Sequence, residues 1–139
     1  MKRKRFIGSA LLALATGGAA LAQQKSKVVK KNDGLKRGTI VHVVYFWLKD
    51  GITASEEADF LRYFELLAKI PLVQTLNYGK PAATPERTVV DHSYTYNLIV
   101  TFKNLEDITA YGSHPEHTAG AEKFKKYWKR VEVKDTLML

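Results

Sequence analysis

Thr39-Ile40-Val41-His42-Val43-Val44-Tyr45-Phe46-Trp47-Leu48 decides the fold. Its β-branched and aromatic residues predict a strand, ended by Lys49-Asp50-Gly51. Side chains alternate along a strand, so Ile40, His42, Val44, Phe46 and Leu48 share one face and Val41, Val43, Tyr45 and Trp47 the other. Both faces are apolar. An antiparallel layer with one wet face alternates apolar and polar residues instead. Something is therefore expected to cover each face. Two helices can cover one; a chain this short has nothing left over for the other, which points to another subunit.

The chain downstream supplies those helices. Thr53 or Ser55 caps a helix that carries Phe60, Leu61, Phe64, Leu67 and Ala68 at helical spacing and ends before Pro71. Leu72 to Tyr78 predicts a second strand, closed by Gly79. Lys80 to Asp91 holds Pro81 and Pro85 and reads as a long loop, either a lid over a pocket or a slack hairpin. His92 to Phe102 predicts a third strand, with Tyr94, Tyr96, Leu98, Val100 and Phe102 on one face and Thr95, Asn97, Ile99 and Thr101 on the other. Asn104 caps a short helix, Leu105 to Tyr111, and a longer helix runs from His114 to about Lys129. Val131 to Leu137 predicts the last strand, with Val131, Val133, Asp135 and Leu137 on one side. The order β-α-β-β-α-β is the split, ferredoxin-like α+β arrangement, with helices on one side of the sheet and an open face on the other. The doubly apolar first strand agrees with dimerisation through that open face.

Upstream, Met1-Lys2-Arg3-Lys4-Arg5, the apolar run Phe6 to Leu14 and the small-x-small site Ala20-Leu21-Ala22 read as a signal peptide over residues 1–22. The apolar run is too short for a comfortable membrane span, so no stable membrane insertion is expected after cleavage. Gln23–Gly38 is polar and lysine-rich and reads as a flexible basic linker, leaving 39–139 as the domain. The net charge of +8 comes from these leading segments; from Thr39 onward there are twelve basic and thirteen acidic residues. That balance argues against a nucleic-acid partner. With no cysteine, disulfide and thiolate chemistry are excluded. An exported chain without disulfides is expected in a bacterial periplasm or secreted.

The chemistry-bearing stretch is Tyr111-Gly112-Ser113-His114-Pro115-Glu116-His117. Gly112 suits the left-handed conformation that closes a helix, Ser113 suits an N-cap, and Pro115 suits the first helical turn. His114 and His117 are three apart and lie on neighbouring parts of one helical face. They lack the i, i+4 spacing of zinc peptidases, and neither a metal nor a cofactor is expected.

Together with Val41 to Asp50 and Tyr94 to Phe102, this stretch resembles the stress-responsive α/β-barrel (Dabb) family, from about Thr39 to Leu137. The tyrosine followed by His-Pro-x-His is its most recognisable mark. The resemblance implies a ferredoxin-like α+β sandwich forming a dimeric α/β barrel, a stress-related role, and a distant similarity to plant polyketide cyclases. In that branch a tyrosine and a histidine work in a pocket between sheet and helices, and these fall on Tyr111 and His117. A first-strand pocket histidine falls on His42. A third-strand pocket histidine falls on Tyr96, where this chain departs from the pattern.

A neutral His117 suits a general base, and Tyr111 suits a donor to a carbonyl oxygen as it becomes an enolate. His42, Tyr96, Phe46 and His114 are the expected ligand contacts. The set suits condensation, isomerisation or lyase chemistry on a small keto compound. Packing alone is the competing account: His42 as a satisfied core histidine, His114 as a cap, Tyr111 as a helix-end plug. The expected function is binding of a small apolar or aromatic molecule. The alternative is a lyase- or cyclase-type enzyme using Tyr111 and His117.

Overall fold

The computed structural model describes residues 34–139. The signal peptide read at 1–22 and residues 23–33 of the linker lie outside the described residues. The elements are β1 (Ile40–Leu48), α1 (Ala54–Ala68), β2 (Thr75–Gly79), β3 (Tyr96–Phe102), α2 (Leu105–Gly112), α3 (Pro115–Phe124), a 3₁₀ turn (Lys125–Tyr127) and β4 (Trp128–Leu137). The strands form one antiparallel sheet in the order β2-β3-β1-β4. This is the ferredoxin-like α+β fold expected from the element order. A single chain is an open sheet with helices on one face, not a closed barrel.

β1 pairs on both edges. The register sets Phe46 opposite Tyr96 and Val131, Val44 opposite Leu98 and Val133, and His42 opposite Val100 and Asp135. These residues form the helix-side face. Phe60, Phe64 and Leu67 of α1 and Phe124 of α3 pack onto it, all but sealed from solvent. Phe46 is the hub, with ring centroids 5.4 Å from Phe60, 5.5 Å from Phe64 and 5.3 Å from Trp128. α1 starts at Thr53, whose hydroxyl accepts from the Glu56 N–H while the Glu56 carboxylate accepts from the Thr53 N–H, a reciprocal capping box. Among the described residues no helix is long and apolar enough to cross a membrane.

Several boundaries differ from the sequence expectation. β2 begins at Thr75 because turns follow α1, with the Val73 N–H on the Ile70 carbonyl at 3.0 Å. β3 begins at Tyr96, not His92. The Ser93 N–H bonds the Asp91 carboxylate at 2.7 Å, a local turn that competes with strand pairing. Tyr94 consequently packs on Tyr45 of the open face, 5.0 Å between centroids, rather than beside Tyr96. α3 ends at Phe124, not near Lys129. Burying Tyr127 and stacking Trp128 on Tyr63, 5.8 Å away, outweighs the helix propensity of the lysines there. Gly112 is the last residue of α2 and has no positive φ; among the described glycines only Gly38 and Gly51 do. His114, not Ser113, is the N-cap of α3.

The long loop is anchored at both ends, and its Val89 and Asp91 line a pocket with Tyr45 and Trp47. Lys80 at its start holds Glu57 at 3.0 Å. At its end the Trp47 indole N–H donates to the Ser93 hydroxyl at 3.0 Å. Arg130 lies 4.1 Å over the Trp47 ring. The chain thus covers one end of its own open face. Val41 and Val43 remain half-buried there, and Ile99 is 38% exposed.

Phe64→Ala is expected to cost about 3–5 kcal/mol of stability, because a sealed aromatic leaves a cavity. Thr53→Ala is expected to cost about 1 kcal/mol through the lost cap. Urea unfolding of both variants checks the order; equal losses would mean that Phe64 is not central to the core.

Candidate functional site

Three of the sequence-selected residues meet on the helix side of the sheet. β1 presents His42, the last turn of α2 presents Tyr111, and the first turn of α3 presents His117. The reversal between the helices is tight: the His114 N–H bonds the Tyr111 carbonyl at 3.0 Å, and the Thr118 N–H then bonds the His114 carbonyl at 3.0 Å. It folds His117 back onto Tyr111, 4.4 Å between ring centroids. Tyr111 also packs 4.8 Å from Phe102 and 6.0 Å from His42.

The nitrogens of His117 are distinguished by their partners. Nδ1 lies 3.2 Å from the Gly112 carbonyl. A carbonyl only accepts, so Nδ1 carries the proton in the neutral ring and Nε2 keeps its lone pair. Burial lowers the His117 pKa below its ordinary value, against the Gly112 hydrogen bond, which raises it; the neighbouring His42 and His114 add to the lowering. His117 is therefore a neutral imidazole at pH 7, as a general base requires.

Tyr111 is 2% exposed. Burial, with Tyr63 nearby, pushes its phenol well above the ordinary range, so it remains a proton donor. Its hydroxyl has no hydrogen-bond partner among the described residues. No fully buried side-chain oxygen or nitrogen among them lacks one. The Tyr111 hydroxyl therefore keeps a small solvent-accessible surface.

His42 is fixed by a residue that was not among the expected site residues. Asp135 Oδ1 lies 2.6 Å from His42 Nδ1, so the ring donates from Nδ1 and turns its other edge inward. The signal was present in the sequence: Asp135 is a lone carboxylate in the apolar file Val131, Val133, Leu137. Its significance depended on the register that sets it opposite His42.

The other expected contacts lie elsewhere. His114 caps α3, its Nδ1 accepting from the Glu116 N–H at 3.3 Å. Phe46 and Tyr96 are paired across β1 and β3, four residues from the His42–Val100 pair, which is about 13 Å along the strands. The Tyr96 hydroxyl donates to Glu57 at 2.5 Å, and Lys80 holds the same carboxylate. The Tyr96 bond, then the Lys80 bond, lower the Glu57 pKa. Tyr96 is thus committed to a second polar group and does not supply a phenol beside His117. Among the described residues no three acidic or histidine side chains converge at metal-holding spacing.

Fold and site define a small ferredoxin-like protein with a Tyr-His-His cluster between sheet and helices. The chain belongs to the stress-responsive A/B barrel domain (Dabb) family, whose model matches residues 40–137. It is 26% identical over 97 residues to olivetolic acid cyclase of Cannabis sativa, an alignment spanning 69% of this chain and 93% of that protein. A dimeric ferredoxin-like protein of unknown function from Bacteroides fragilis superposes with a TM-score of 0.57 at 24% identity, over 75% of this chain and all of that one. Hydroxynitrile lyase from Passiflora edulis superposes with a TM-score of 0.64 at 15% identity, over 75% of this chain and 96% of that one. The two structural likenesses are likenesses of fold.

The lowered pKa of His117 has a stability consequence. Between the folded value and the unfolded value of about 6.5, the unfolded chain binds more protons. Stability is therefore held above pH 6.5 and lost as pH falls through that window. NMR titration should place the His117 midpoint below 6.5, and His117→Gln should flatten the acid side of the stability profile. A midpoint above 6.5 would contradict the burial argument.

Proposed function

We propose that the chain is an exported, homodimeric Dabb protein that binds a small apolar or aromatic molecule against Tyr111, His117 and His42. The observation that carries this reading is the unpartnered Tyr111 hydroxyl beside the neutral, proton-accepting edge of His117. Phe102 supplies an apolar wall beside them. A ligand with one hydroxyl oxygen on an apolar body accepts from Tyr111, donates to His117 Nε2 and buries the rest; a carbonyl oxygen accepts from Tyr111 alone. Export rests on the leader read at 1–22. Dimerisation is supported by the dimeric Bacteroides fragilis relative and by the uncovered Val41, Val43 and Ile99.

A second reading is a lyase- or cyclase-type enzyme. It is favoured by the neutral His117, which burial holds ready as a base, and by a phenol that stays protonated. The cyclase and lyase among its relatives lend it support. His117 would take a proton from the carbon beside a ligand carbonyl. Tyr111 would donate a hydrogen bond to the oxygen as negative charge gathers on it. Asp135 would hold His42 in the orientation that faces the ligand.

A thermal-shift screen of short apolar keto acids and aromatic hydroxy acids tests both readings. A ligand should raise the unfolding temperature, and Tyr111→Phe should weaken it about five- to tenfold through one lost hydrogen bond. If the ligand is converted, His117→Ala should lower kcat about 10²- to 10⁴-fold and remove the neutral-range ionisation from the pH profile. Conversion that survives His117→Ala would end the enzymatic reading. Binding indifferent to both substitutions would end the site assignment.

A further inference from the structure

A cavity of about 500 Å³ opens at the rim of the sheet's open face, at the end away from Trp47. It lies on the opposite face from Tyr111 and His117 and does not depend on their role. Its lining includes Lys36, Arg37 and Lys103, the hydroxyl residues Thr75 and Thr101, and the amide of Gln74. Among the described residues no Asp or Glu lines it. None of its three cations makes an ion pair among the described residues.

The backbone around the cavity is fixed. Gly38 has φ +88°, a conformation that favours glycine. The turn before β1 closes with the Thr39 N–H on the Lys36 carbonyl at 3.0 Å. It is clamped to the end of the chain by the Gly38 N–H on the Met138 carbonyl and the Met138 N–H on the Thr39 carbonyl, both at 2.9 Å. These bonds hold Lys36 and Arg37 across from Lys103, which immediately follows β3. Across the cavity floor the Thr75 and Thr101 hydroxyls are 2.6 Å apart. One donates to the other, which leaves the second hydroxyl hydrogen for a ligand.

We propose that this cavity is a binding site for the oxyanion of a small molecule, a carboxylate or a phosphate group. Three cations without an ion pair among the described residues, set around a hydroxyl floor, give a concave field of one sign, which concentrates anions. The arginine fork suits two oxygens of one oxyanion, and the lysines act as point charges.

Titration of the chain with inorganic phosphate and, separately, with acetate tests this, followed by amide NMR at an ionic strength held constant with sodium chloride. Saturable shifts confined to Gln74, Thr75, Thr101, Lys103 and the 36–39 turn are expected with at least one anion, and the better anion identifies the headgroup. Arg37→Ala with Lys103→Ala should weaken binding at least tenfold at an unchanged unfolding temperature. If that pair does not fold, Lys103→Gln alone should weaken it several-fold. No saturable shift with either anion, shifts matched by chloride alone, or unchanged affinity in the folded variant would overturn the proposal.

Discussion

The structure depends on a strand that is apolar on both faces and therefore needs cover above and below it. β1 lies inside the sheet, paired with β3 on one edge and β4 on the other. The placement then fixes much else. Phe46 and Val44 need helices above them, and α1 supplies Phe60 and Phe64. His42 is the one ionisable side chain on that face of β1, and a histidine held among apolar neighbours needs a partner. β4 supplies it in register, with Asp135 opposite. One requirement thus produces the core, the topology and the fixed histidine of the site.

The helix side of the sheet divides along its length into two polar loci. One end holds His42, Tyr111 and His117, where burial keeps the base neutral and the phenol protonated. The other holds Tyr96, Glu57 and Lys80, whose hydrogen bonds satisfy one another. The difference is whether the polar atoms are consumed internally. A closed network such as Tyr96–Glu57–Lys80 adds rigidity. A phenol with no protein partner has capacity for a ligand.

The sequence made the element order legible because each element carries its own period and cap. Thr53, Asn104 and the apolar spacing of α1 were local signals, and all of them operate in the structure. The misplaced boundaries have non-local causes. Nothing adjacent to Trp128 ends α3; the ring stacks on Tyr63 from a different helix. The turn at Asp91–Ser93 diverts Tyr94 to the other face, although simple alternation places it beside Tyr96. The site follows the same division. Tyr111 and His117 are close in sequence, and their meeting is set by one turn. Tyr96, which the resemblance grouped with them, stands four residues further along the sheet and is bonded to Glu57. Asp135 escaped notice because its meaning exists only once β4 is paired with β1.

The second face of β1 is the central commitment of this account. The chain's own loop covers Trp47, while Val41, Val43 and Ile99 remain for a second copy to cover. Native mass spectrometry across a range of concentrations tests that most directly. The account predicts a species of twice the chain mass, sensitive to a charge placed at Val43. A monomer at every concentration would contradict it, and would leave an apolar strand face exposed with no physical reason for its composition.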